Sequence, residues 1–191
     1  MIDVALLLGD RDVPASTGHV FERLNPITGD LATRAAAASI QDANSAATAA
    51  ATAFPAWAAL GPGERRARLA AAANEIERRV GDFIEAMADE TGATEAWSRF
   101  NVSLAAAMLR EAAALTTQVT GQIIPSDKPG MTALALRQPV GVVLGLAPWN
   151  APVILGVRAL AAPLACGNTV MGWTAPRRHQ ACEDGCCRDP I

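Results

Sequence analysis

The stretch from Arg137 to Met171, RQPVGVVLGLAPWNAPVILGVRALAAPLACGNTVM, constrains the fold more than any other part of the chain. Val140 to Ala147 is almost continuously apolar, the pattern of a parallel strand covered on both faces. Pro148, Trp149 and Asn150 interrupt it. Pro152 suits the first turn of a helix, where a missing N–H costs nothing, and Gly167 suits the end of that helix. A second strand begins near Thr169. Strand, loop, helix and strand form a βαβ unit, so the fold class is α/β. The loop stands at the carboxyl end of a strand, where open α/β sheets bind ligands, and Asn150 is its polar amide. A membrane span is the competing reading of this run, but Asn150, Arg158, Pro148, Pro152 and Pro163 break the roughly 20 apolar residues a crossing needs.

Composition narrows the function classes. With 51% hydrophobic residues, 18% charged residues and a formal net charge of -3, neither wholesale disorder nor an electrostatic nucleic-acid surface is expected. Abundant Ala favours closely packed helices. The amino terminus does not resemble an export signal, since the short run Val4 to Leu8 follows Asp3 and no basic residue, and a cytoplasmic setting is expected. Cys182, Cys186 and Cys187 crowd the carboxyl end and cannot staple the body; Cys166 reads as a small buried residue.

Taken in order, Val4–Leu8 and Val20–Leu24 read as short strands of an antiparallel start, and Leu31–Ala35 resumes as a strand after the turn Asn25–Asp30. Ser39 caps a helix, with Asp42 at its positive end, and Pro55 ends it after Phe54. Gly61 and Pro62 open a second helix with Leu69, Ala73, Ile76 and Val80 as its inward stripe. Its charges, Arg65, Arg66 and Arg68 among them, read as a wet face rather than an anion site. A third helix runs from Asp82 to Thr91 and stops at Gly92. Thr94 caps a fourth, in which Trp97, Phe100, Leu104, Met108 and Leu115 read as core. Gln122–Pro125 and Met131–Arg137 form a hairpin, marginal alone and expected to lie on another surface, including that of a partner subunit.

No Gly-x-Gly-x-x-Gly follows the strand at Val140, so glycines alone do not point to a nucleotide. Gly141 and Gly145 instead suggest close approach by another backbone or a ligand. Residues 172–191, GWTAPRRHQACEDGCCRDPI, lack an apolar period and read as an unrelated tail, such as a translated wrong frame. His179, Cys182, Cys186 and Cys187 invite a zinc reading, but the paired Cys-x-x-Cys spacing and an apolar framework are missing, and no metal is expected.

Five motifs in order carry a resemblance: Asn25-Pro26-Ile27-Thr28-Gly29, Ala53-Phe54-Pro55-Ala56-Trp57, Arg137-Gln138-Pro139-Val140-Gly141-Val142-Val143, Pro148-Trp149-Asn150, and Pro163-Leu164-Ala165-Cys166-Gly167-Asn168-Thr169-Val170. From about Leu6 to Met171 the chain resembles the NAD(P)-dependent aldehyde dehydrogenase superfamily. Around Glu90-Thr91-Gly92-Ala93, Trp97 and Phe100-Asn101-Val102 it looks most like members acting on aromatic aldehydes such as salicylaldehyde, benzaldehyde or vanillin.

The resemblance implies the amino-terminal helical part (1–120), a bridging hairpin of the oligomerisation type (121–138) and the first βαβ unit (139–171) of a Rossmann-type cofactor domain, with 172–191 unmatched. It also implies oxidation of an aldehyde to the acid with NAD or NADP, NAD being favoured, through a cysteine thiolate and a glutamate-activated water, in a homo-oligomer. Asn150 matches the oxyanion donor, a role a neutral fixed amide can fill without titrating; a helix cap is its plainer alternative. Leu146, Ala147, Pro148 and Trp149 match positions beside the cofactor. Arg158, two helical turns beyond Asn150, matches a substrate-tunnel position and would orient a polar ring substituent; a surface Arg is the alternative. The family's lysine, catalytic cysteine and glutamate have no match here, and Cys166 matches a structural position. The expectation is therefore a fragment covering the first third or so of an enzyme, inactive alone, with cofactor binding by it doubtful. A non-catalytic module joining intact relatives through the hairpin is the alternative.

Overall fold

The computed structural model describes residues 2–174, and the zinc reading on His179 and the three carboxyl-terminal cysteines lies outside them. The amino-terminal part holds five short strands: β1 (Ile2–Val4), β2 (Leu6–Leu8), β3 (Arg11–Val13), β4 (Val20–Leu24) and β5 (Leu31–Ala36). The expected single run Val4–Leu8 is divided at Ala5. β1 pairs parallel with β5, whose other edge takes β4 antiparallel, while β2 turns back on β3 as a separate hairpin. Gly9, at φ 67°, allows that tight reversal. The Asn25 turn forms as its chemistry demands, with the side-chain oxygen accepting the Ile27 and Thr28 N–H groups.

Helix α1 (Ile40–Ala59) starts with a complete capping box between Ser39 and Asp42. The Asp42 carboxylate also accepts the Ser16 N–H, so one side chain fixes both the helix start and the loop after β3. Pro55 does not end the helix as expected; it lies inside it. Near a carboxyl end a proline removes one N–H but leaves the final turn free to close, and Trp57 anchors that turn by donating its indole N–H to the Leu164 carbonyl at 3.1 Å.

Helix α2 (Pro62–Arg78) has Pro at its first position, α3 (Val80–Thr91) ends at a left-handed Gly92, and Thr94 caps α4 (Glu95–Leu115). The main core joins Leu69 and Ala73 of α2 to the alanine-rich face of α4 (Ala105, Ala106, Leu109, Ala112, Ala113) and to a fifth helix through Val157, Ala161 and Ala165. The expected core stripe on α4 is therefore corrected in part, since only Met108 of that stripe packs against this core. Trp97, Phe100 and Leu115 are 43%, 51% and 37% exposed, because small alanines on the other face permit closer helix approach. The wet-face reading of α2 is corrected at Arg65, which is half-buried and donates to the Leu60 and Ala165 carbonyls; Arg66 and Arg68 are exposed as expected, and Arg66 also donates to the Ala113 carbonyl.

Strands β6 (Gln122–Ile124) and β7 (Ala133–Ala135) form the expected hairpin, with Ile123 and Leu134 78% and 61% exposed. Strands β8 (Val142–Ala147) and β9 (Thr169–Thr174) pair in parallel around α5 (Pro152–Ala165), the βαβ unit. β9 runs three residues beyond Met171. The face of β8 that carries Leu144 and Leu146 is open there, at 53% and 63% exposure, so the expectation of a strand covered on both faces is corrected at these residues, while α5 covers the side of Gly145 and Ala147. A Cβ on Gly145 would stand 3.1 Å from that of Ala159, which confirms close approach there, by a helix. Gly141 has open space and lies before the strand; its φ of 115° is what requires glycine. Among the described residues no helix is long and apolar enough to cross a membrane.

Two stability predictions follow from this packing. Gly145→Val overpacks the β8–α5 contact and lowers unfolding free energy in urea by about 1–3 kcal/mol. For Asp42, hydrogen bonds from Ser39 and Ser16 hold the carboxyl below its ordinary value. A lowered native pKa contributes stability that is complete above the unfolded value and is lost as pH falls toward the native one. The gap in melting temperature between the parent chain and Asp42→Asn thus narrows on acidification through the carboxylate range; a constant gap refutes this linkage.

Candidate functional site

The strand–loop–helix junction holds Leu146 to Asn150 at the carboxyl end of β8, with Arg158 further along α5. Leu146 projects from the open face, Ala147 is buried at 6% exposure, and Pro148, Trp149 and Asn150 follow as an exposed turn. Alternation along the strand explains the split: Leu146 shares a face with Val142 and Leu144, while Ala147 shares one with Gly145 against α5. Trp149 is 41% exposed beside the loop.

Asn150 does not cap α5. The residue at the cap is Ala151, which offers no side-chain bond, and Pro152 occupies the first turn. No described residue bonds to the Asn150 amide, so its donors remain available at the helix start. That start carries no acidic side chain in its first turn, leaving the partial positive charge of the helix uncompensated next to the amide. The arrangement can stabilise negative charge that develops on a bound molecule. Arg158 also projects to solvent from α5, consistent with either of the roles weighed for it.

At the far end of α5 lies Cys166, half-buried at the helix cap rather than fully buried, beside a cavity of about 310 Å³ shared with Leu115, Gln122 and Arg137. A 14-residue helix separates it from the Asn150 loop, roughly 20 Å at 1.5 Å per residue, so its thiol cannot serve chemistry there. Among the described residues no cluster of His, Cys, Asp and Glu could hold a metal ion.

Asn168 was not singled out from sequence for any role. Its side-chain oxygen accepts the Val140 and Gly141 N–H groups at 2.7 and 3.1 Å, and its amide donates to the Pro163 carbonyl at 3.2 Å. An Asn directly after a helix-ending Gly was the available signal.

The sequence profile of the aldehyde dehydrogenase family matches residues 13–177. The chain belongs to that family. It is 63% identical over 171 residues to a vanillin dehydrogenase from Pseudomonas fluorescens, covering 90% of this chain and 35% of that protein. A salicylaldehyde dehydrogenase from Pseudomonas putida is 45% identical over 166 residues, covering 87% and 34%. Among solved structures, a salicylaldehyde dehydrogenase from Pseudomonas putida G7 complexed with salicylaldehyde superposes with TM-score 0.88 at 42% identity over 90% of this chain and 36% of that one. The chain thus spans about a third of the length of the relatives it matches. The fold is the amino-terminal portion of this family's α/β architecture.

Proposed function

We propose that this chain provides the oxyanion-binding loop of an enzyme that oxidises an aromatic aldehyde to the acid with a nicotinamide cofactor, NAD in preference to NADP. The observation that carries the reading is the unpartnered Asn150 amide at the carboxyl end of β8, in a chain 63% identical to a vanillin dehydrogenase. As a carbonyl carbon is attacked, negative charge gathers on its oxygen; a neutral amide already in place stabilises that charge without reorganising. The exposed apolar side chain of Leu146, with Pro148 and Trp149, makes a shelf suited to the flat face of a nicotinamide ring. Leu146, Ala147, Pro148 and Trp149 would hold the cofactor there, which supplies the hydride acceptor when bound. In this reading Arg158 orients a polar ring substituent of the aldehyde. In this reading the nucleophile and the general base come from outside residues 2–174, which are inactive by themselves.

A second reading rests on the hairpin. Ile123, Leu134 and Leu136, 78%, 61% and 71% exposed, form an apolar ribbon that fits subunit assembly, either in a homo-oligomer of the enzyme or in a non-catalytic module that joins intact relatives.

A hybrid separates these readings: residues 13–171 replace the matching segment of the Pseudomonas fluorescens vanillin dehydrogenase, and NAD reduction is followed with vanillin. Activity is expected, and Asn150→Ala lowers kcat by about 10²–10³. A folded hybrid indifferent to Asn150→Ala refutes the oxyanion role, and a folded but inactive hybrid favours the assembly module. In the same hybrid Arg158→Ala cuts kcat/KM about tenfold more for hydroxylated than for unsubstituted benzaldehydes, the loss of one charge-assisted hydrogen bond. Equal loss on both substrates rules that role out.

A further inference from the structure

Asn150 has no hydrogen bond of its own to hold it, yet an oxyanion donor is effective only at a defined position. Where the loop as a whole stands is set by the two elements that flank it, β8 and α5. Their side-to-side distance is set by the Gly145–Ala159 contact. Their relative height is a separate degree of freedom, because apolar contacts between a strand and a helix resist sliding weakly compared with directed bonds.

We propose that Asn168 is the positioning residue for the Asn150 loop. It is 7% exposed, and its one side chain ties the start of β8 to the end of α5: its oxygen takes the Val140 and Gly141 N–H groups, and its amide holds the Pro163 carbonyl. Its own backbone N–H bonds the same Pro163 carbonyl at 3.0 Å, and Gly167 N–H bonds that of Leu164 at 3.1 Å, the paired bonds of a Schellman turn. Thr169 N–H returns to the Gly141 carbonyl at 3.1 Å, so the first residue of β9 joins the same knot. Strand start and helix end are thus held at one height. With six residues of β8 rising from the knot and 14 residues of α5 running back to it, the turn from Pro148 to Ala151 has one gap to close. A shift at Asn168 is passed along both rigid elements to Asn150.

The inference rests on the enzymatic reading for its consequence but not for its test, which uses the full chain without catalysis. The chain is labelled with 5-fluorotryptophan, Trp149 being assigned by its loss in Trp149→Phe, and amide exchange is followed by mass spectrometry. In Asn168→Ala, exchange of the segment holding Val140 and Gly141 accelerates at least tenfold and the Trp149 fluorine resonance shifts. Met87→Ala, which lowers the melting temperature from α3, outside the core cluster that holds α5, leaves that resonance in place. Asn168→Asp keeps an acceptor for both N–H groups and moves exchange and resonance back toward the parent. Accelerated exchange with an unmoved Trp149 resonance overturns the proposal, leaving Asn168 a local clip. A resonance moved equally by Met87→Ala overturns it as well. If the hybrid enzyme ignores Asn150→Ala while these shifts occur, the enzymatic reading fails and the positioning role stands.

Discussion

The fold depends on how closely α5 is embraced. On one side it meets α2 and α4 through alanines, and on the other it meets β8 at Gly145, where even a methyl group would press on Ala159. Small residues contribute little transfer energy each, but they bring backbones near enough for dispersion contacts along whole helices. That choice displaces the large side chains: Trp97 and Phe100 stack on each other at 5.5 Å on the outside of α4 instead of entering the core.

Close packing places the polar ends of α5 under strict accounting, since its last carbonyls have no partner within the helix. Each finds a donor. Pro163 takes Asn168, Leu164 takes Gly167 and the Trp57 indole, and Ala165 takes Arg65. Trp57 and Arg65 come from the end of α1 and the start of α2, so the same bonds that satisfy the helix dock the helical part onto the βαβ unit. Thr169 adds a bond to the Ala50 carbonyl of α1. The opposite end of α5 carries no such ties, with Ala151 at the cap and no described residue bonded to the Asn150 amide, so the tail of the helix is anchored and its head is open.

The surface pairs are of a different kind. Arg110 grips Glu77 across α2 and α4 and holds its carboxyl below the usual range, but both side chains are nearly half exposed and water screens the pair. The Glu90 carboxylate, bonded to Arg23 and Thr33, is more sheltered and links α3 to the amino-terminal sheet.

Much of this was legible in the residues themselves. Strand, proline-marked helix start and glycine-marked helix end determined the βαβ unit; Ser39, Gly92 and Thr94 determined helix limits, because caps and left-handed turns are local chemistry. The five motifs placed the chain in its family, and Pro148–Asn150 marked the turn between β8 and α5. Tertiary structure alone decided the rest. Which face of α4 is buried depends on what α2 and α5 offer it, so periodicity could not choose between the aromatic and the alanine stripe. Pro55 stays helical because Leu164, 109 residues away, receives the indole two residues on. Whether Asn150 caps its helix, and that Asn168 ties strand to helix, are likewise set by donors and acceptors brought together from distant parts of the chain, a juxtaposition no local pattern encodes.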